Sequence, residues 1–88
     1  MTEQEFRDQL AADGITNVVL VEREANGGMD THTHPFEARL LILEGDITVV
    51  VDGVTRHCGP GDTFQLGADV PHIEKYGPQG VKYLAGRK

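Results

Sequence analysis

The chain is poor in cysteine, in positive charge and in long apolar runs. Its single cysteine, Cys58, can form no internal disulfide, which agrees with a reducing compartment. No apolar run reaches the roughly 18 residues of a membrane-spanning helix. The opening residues, Met1-Thr2-Glu3-Gln4-Glu5-Phe6-Arg7, lack the basic-then-apolar order of a secretory signal, so a cytosolic location is the expectation. Eight Lys and Arg stand against fourteen Asp and Glu, a formal net charge of −6. That sign repels phosphate backbones and anionic lipid, which sets aside nucleic acid and membrane surfaces as partners. With 88 residues, the chain is long enough for one domain and a modest core.

Turn chemistry is plentiful instead, with eleven glycines in this short length. The first segment, residues 1–14, reads as a short helix. Thr2 and Glu5 form a capping-box pattern, Phe6 and Leu10 share a face four residues apart, and Gly14 suits a left-handed helix end. A helix this short draws its stability from packing on something else. From residue 15 to residue 88 the punctuation is that of β-structure. Asn17–Glu22, Ala38–Leu43, Ile47–Val51, Val54–Cys58, Thr63–Leu66, Val70–Tyr76 and Val81–Leu84 are strand-like, as is the stretch around His32. Asn26-Gly27-Gly28 and Gly59-Pro60-Gly61-Asp62 mark turns, and Asp52-Gly53 is a strong two-residue hairpin signal. About eight strands at this spacing predict an all-β antiparallel barrel or sandwich, with no parallel βαβ unit.

The chemistry is concentrated in His32-Thr33-His34 and in Val70-Pro71-His72. On an extended strand, residues i and i+2 point to one face. Convergent neutral imidazoles each offer a nitrogen lone pair, which suits a divalent transition metal. The fourth histidine, His57, has the opposite parity to the inward-facing Cys58 and is expected at the surface. Cys58 reads as a small core hydrophobe or as a pocket-lining thiol. Phe64 and Leu66 alternate as core residues, with Phe64 also a candidate for the pocket wall.

The stretch from His32 to Tyr76 resembles the cupin superfamily, whose members are small antiparallel jelly-roll barrels. In the family's first motif His32 and His34 occupy the two histidine positions, Gly27 and Gly28 lie close to the leading glycine, and Gly45 fills the closing one. In the second motif Gly61 and His72 fit, Gly67 and Asp69 replace a proline and a glycine, and Tyr76 stands where an asparagine is usual. The resemblance implies a jelly-roll of about eight strands, with His32, His34 and His72 as metal ligands. The motif's glutamate position falls on Ala38, counted both from His34 and from Gly45. Glu37 is one residue early, and only a β-bulge after Pro35 turns it inward. Three imidazoles with open positions still make a sound metal site. Without the carboxylate, Zn, Ni, Fe or Cu is favoured over Mn.

Tyr76 either lines the pocket mouth or simply packs, and Ala38 lies on the pocket face. Two functional classes follow. One is a metal-dependent dioxygenase, isomerase or lyase acting on a small polar metabolite. The other is a non-catalytic module that binds or senses a small molecule over a vestigial metal site. A barrel this small leaves edges uncovered, so a homodimer is expected, with Val18-Val19-Leu20-Val21 and the helix near the interface.

Overall fold

The computed structural model describes residues 1–88. A short helix, α1 (Glu3–Ala12), precedes six strands: β1 (Asn17–Arg23), β2 (Gly28–His32), β3 (Ala38–Val51), β4 (Val54–Cys58), β5 (Thr63–Leu66) and β6 (His72–Arg87). The helix starts as the sequence implies. The Thr2 hydroxyl accepts from the Glu5 amide at 3.1 Å, and the Thr2 amide donates to the Glu5 carboxylate at 3.0 Å. Phe6 and Leu10 are buried with Ile15, Leu41 and Leu84. Leu10 also lies against Gly86, where a Cβ would meet its methyl groups at 2.8 Å. The apolar side of the helix is therefore fixed on the outer face of β3 and β6, as a short helix requires.

All strand pairing is antiparallel, within one sheet whose main order is β1-β6-β3-β4. The expected eight strands are six, and the sheet is not closed into a barrel. Two pairs of predicted strands run together without a break. Ala38–Leu43 and Ile47–Val51 form β3, while the segments around Val70–Tyr76 and Val81–Leu84 form β6. The glycine-containing stretches between them read as turns in sequence, yet they bend a continuing strand. Pairing between β3 and β6 shifts register between Ile42 and Glu44 and again between Gly45 and Ile47. On one side of this bend, β1, the second half of β6, the first half of β3 and β5 lie together. On the other side lie β2, the first half of β6, the second half of β3 and β4. The main core joins the two sides, with Ile47, Val49, Cys58 and Tyr76 from one and Ile42, Phe64, Leu66, Tyr83 and Ala85 from the other.

Gly45 explains why the bend takes this form. Its φ is +72°, and a Cβ there would overlap the carbonyl of Gly80, itself at φ +74°. The backbones of β3 and β6 touch at this point. Gly53 shares the positive φ (+76°) but has open space around it. It forms, with Asp52 at φ 51°, the tight hairpin between β3 and β4 that the sequence signals. No helix is long and apolar enough to cross a membrane.

Comparing Gly45→Ala with Gly53→Ala separates backbone strain from overlap. Gly53→Ala is expected to cost about 1–3 kcal/mol, the usual range for a side chain in a disfavoured backbone region. Gly45→Ala is expected to cost clearly more in urea unfolding, because Gly80 must also move. Equal costs would show that the contact between the two strands is not a constraint on the bend.

Candidate metal centre

Four side chains converge between the end of β2 and the start of β6. His32 is the last residue of β2, His72 the first of β6, and the two are paired in register. That pairing depends on a bulge. Met29 pairs with Glu74, so regular continuation would set Thr31 opposite His72, whereas an extra residue in β2 brings His32 there. His34 lies just past the strand, in the loop leading to β3. Its carbonyl accepts from the Asp69 amide at 2.7 Å, which ties this loop to the one that ends at His72. The expectation that His32 and His34 share a strand face is thus only half met. They converge through a strand end and a tethered loop, with ring centroids 4.9 Å apart. The rings of His32 and His34 lie 4.1 Å and 5.1 Å from that of His72.

The fourth member is Glu74, two residues beyond His72 on the same face of β6. The ligand atoms of His32, His34, His72 and Glu74 all lie within 4.8 Å of one another. His72 and Glu74 are buried, at 3% and 8% exposure. The hydroxyl of Tyr76 donates to the second oxygen of Glu74 at 3.3 Å, which fixes the carboxylate from behind.

The hydrogen bonds around the imidazoles settle their tautomers. His32 Nδ1 lies 2.7 Å from the carbonyl of Asp30, and His72 Nδ1 lies 2.9 Å from the carbonyl of Val70. A carbonyl only accepts, so each Nδ1 carries a proton and donates. In the neutral rings each Nε2 is then a bare lone pair. Both point at the same atom, Glu74 Oε2, at 3.0 Å from His32 and 3.2 Å from His72. Three acceptors cannot face one another in a buried place without something positive between them. A proton shared by His72 and Glu74 answers one contact, but the buried His32 Nε2 then has no hydrogen-bond partner. A divalent cation answers all of them at once. Metal–ligand bonds of about 2.1 Å set near right angles separate neighbouring donors by about 3.0 Å, close to the distances from Glu74 Oε2 to the two Nε2 atoms. Burial, followed by the neighbouring His72 and His32, holds the His34 imidazole below its ordinary pKa of 6.5. It therefore stays neutral and available as a donor to lower pH.

A small cavity of about 90 Å³ adjoins the cluster, with ten hydrophobic residues among the fifteen that line it. Burial, then the charge of Glu74, pushes the hydroxyls of Tyr76 and Tyr83 upward, and that of Tyr83 reaches about 12. Both are donors, not bases, at neutral pH.

Comparison with known proteins places this arrangement. The family model described as "Cupin domain" matches residues 19–75. The chain belongs to the cupin family. Among solved structures, a protein of unknown function from Rhizobium leguminosarum superposes with a TM-score of 0.76 at 18% identity, covering 80% of this chain and 66% of that one. An RmlC-like cupin from Shewanella frigidimarina gives 0.69 at 24% identity, covering 80% and 62%. The DMSP lyase DddQ from Ruegeria pomeroyi gives 0.73 at 25% identity, covering 81% of this chain and 36% of that one. This cupin thus spans about two thirds of the length of the first two and about a third of the last. No curated protein matches it in sequence.

Against the cupin motifs, the departure is the carboxylate. Ala38, at the motif's glutamate position, is 7% exposed and lines the cavity beside the cluster. Glu37 does not turn inward. Its backbone pairs with Lys88 in both directions, at 3.2 Å and 2.9 Å, which continues the regular pairing of Ala38 with Arg87. No bulge intervenes, so Glu37 faces away from Ala38 and contacts Gln65 at 2.7 Å and Arg39 at 3.4 Å. Glu74 supplies the carboxylate from the other strand. The sequence held a signal for it, because Glu74 stands to His72 as His34 stands to His32 in spacing. The expected preference for Zn, Ni, Fe or Cu over Mn rested on a site without a carboxylate, and it loses that ground here. Tyr76 does not line this cavity; its ring packs in the core and its hydroxyl donates to Glu74. Phe64 lines the cavity, whereas Cys58 sits in the core, 1% exposed, with its thiol pKa raised by burial. The His57 side chain is 61% exposed and 2.5 Å from Asp46, remote from the cluster in partner and surface.

Moving the carboxylate tests this geometry. Glu74→Gln is expected to weaken Co²⁺ or Zn²⁺ binding by at least about tenfold, since even outer partners of ligands carry that much. Adding Ala38→Glu to it should recover most of the loss, as isothermal titration would record. No recovery would mean that the Ala38 face of β3 does not reach the imidazoles.

Proposed function

We propose that this cupin holds one divalent transition-metal ion through His32, His34, His72 and Glu74, and that it uses the site to bind or act on a small polar metabolite. The observation that carries this is the pair of Nε2 lone pairs aimed at a single carboxylate oxygen, with His32 Nε2 otherwise without a partner in a buried place. When bound, such an ion supplies Lewis acidity for a ligand that enters the adjoining cavity. The chain's own groups hold it: Asp30 and Val70 carbonyls orient two imidazoles, and Tyr76 orients the carboxylate.

Two readings of the outcome differ in one respect. An enzyme such as an isomerase, dioxygenase or lyase has fold precedent in the DMSP lyase of Ruegeria pomeroyi, which shares the fold. The non-catalytic reading has its own support. Besides the four clustered groups, the acid–base candidates here are the two tyrosines, and both are held protonated by burial. No carboxylate other than Glu74 lines the cavity. Proton transfer is therefore poorly served, while ligand binding is well served.

Protein purified without an affinity tag is expected to carry a single transition-metal ion per chain by elemental mass spectrometry. His32→Ala and His72→Ala should lose it, and Cys58→Ala should keep it. Retention by both histidine variants would sink the site. With the metal established, a screen of small metabolites for turnover separates enzyme from binding module.

A homodimer is part of the same proposal. Strand β1 pairs only with β6 and leaves its other edge free, and Leu20 on it is 53% exposed. Light scattering at micromolar concentration should give the mass of two chains, and Leu20→Lys should shift it toward one. A monomer in the parent protein would overturn this assembly.

A further inference from the structure

The cavity beside the cluster has a charge pattern opposite to that of the chain. The protein carries a formal −6, yet the cavity is lined by two arginines, Arg23 and Arg87, against the single carboxylate of Glu74. That carboxylate faces the ring nitrogens of His32 and His72 and accepts from Tyr76. Among the lysines and arginines, the ion pairs occupy Arg7, Arg39 and Lys82. Neither Arg23 nor Arg87 has a carboxylate partner.

The two arginines do different things. Arg23 pairs with Val81 and Arg87 with Ala38, at opposite ends of the second half of β6. Six residues of strand separate these ends by about 20 Å, too far for both to grip one small group. Arg23 hydrogen-bonds the hydroxyl of Tyr76, and both arginines act on that of Tyr83. Arg87 stands at the histidine end. Tyr83, Ala85 and Arg87 alternate onto the same face of β6 and all line the cavity. The Arg87 guanidinium lies 4.9 Å over the ring of Phe36, which stacks on His34 at 5.1 Å and 15°. An aromatic ring thus holds the guanidinium in place beside a histidine of the cluster, with its hydrogen-bonding edge uncommitted to any carboxylate.

We propose that Arg87 is the anion receiver of this cavity and that the ligand is a small carboxylic acid with an apolar body. A planar guanidinium matches a carboxylate in a two-bond fork. Leu40, Phe64, Leu66 and Val49 offer apolar wall to the rest of the molecule. At about 90 Å³, the space is well below that of drug-sized pockets, so the body is a short chain or small branched group. This deepens the metal-site reading and rests on it only for the neighbouring ion, because the Arg87 contact does not need the ion.

The test is a nuclear magnetic resonance titration of the full chain with isovalerate and with its neutral amide, isovaleramide. It is run on metal-loaded and on metal-free protein. The acid is expected to bind at least about tenfold more tightly than the amide, the difference that a hydrogen-bonded charged group typically makes. Arg87→Gln should remove most of that preference in both forms while leaving metal content unchanged, and Arg87→Lys should restore part of it. Acid and amide binding alike, neither binding at millimolar concentration, or an undiminished preference in Arg87→Gln would each overturn the proposal. A chain that takes up no metal but still prefers the acid through Arg87 would defeat the metal-site reading alone.

Discussion

The fold depends on one close approach of backbone to backbone. Where β3 and β6 bend together, Gly45 lies against the carbonyl of Gly80 with no room for a side chain on either strand's path. That contact lets two long strands remain paired from Ala38 with Arg87 to Val51 with His72 while changing direction midway. The halves of each strand can then face each other across the Ile42, Ile47 and Tyr83 core. The same bend decides the site. It sets the first half of β6, with His72 and Glu74, across from the sheet face that carries Ala38, Phe64 and Arg87.

The convergence of acceptors is the chemical consequence. The histidines of the strand ends arrive with their Nδ1 protons already committed to carbonyls, so their Nε2 atoms are left to face Glu74 Oε2. A buried set of this kind costs free energy until it is satisfied. The protein keeps it nevertheless, with Tyr76 holding Glu74 in place. Preorganisation of this sort fits the proposed site, in which an ion would be held in a fixed position with space left on one side for a ligand.

Much of this was legible in the residues, and the losses have physical reasons. The helix was legible because its cap and its apolar pair are local, and the hairpin at Asp52-Gly53 because both residues adopt positive φ. The strand count was not. Glycine marks turns and bends with the same letter, and only pairing across β3 and β6 shows that the chain continues. Three of the four clustered residues were legible from motif position. Glu74 was not, since it lies outside the usual glutamate position, although the i, i+2 spacing that singles out His34 singles out Glu74 as well. The bulge that aligns His32 with His72 left no mark in the sequence, since it arises from pairing with a distant strand. Arg87, near the end of the chain, reads as part of a basic tail. Its place over Phe36 belongs to tertiary packing.

The central claim is that three imidazoles and the carboxylate of Glu74 share one ion. An anomalous difference map from crystals of Co²⁺-loaded protein tests it most directly. The account predicts a single strong peak at about 2.0–2.2 Å from Nε2 of His32, Nε2 of His72, a ring nitrogen of His34 and an oxygen of Glu74. A peak beside Cys58, beside the Asp46 and His57 pair, or with Glu74 turned away from the ion would contradict it.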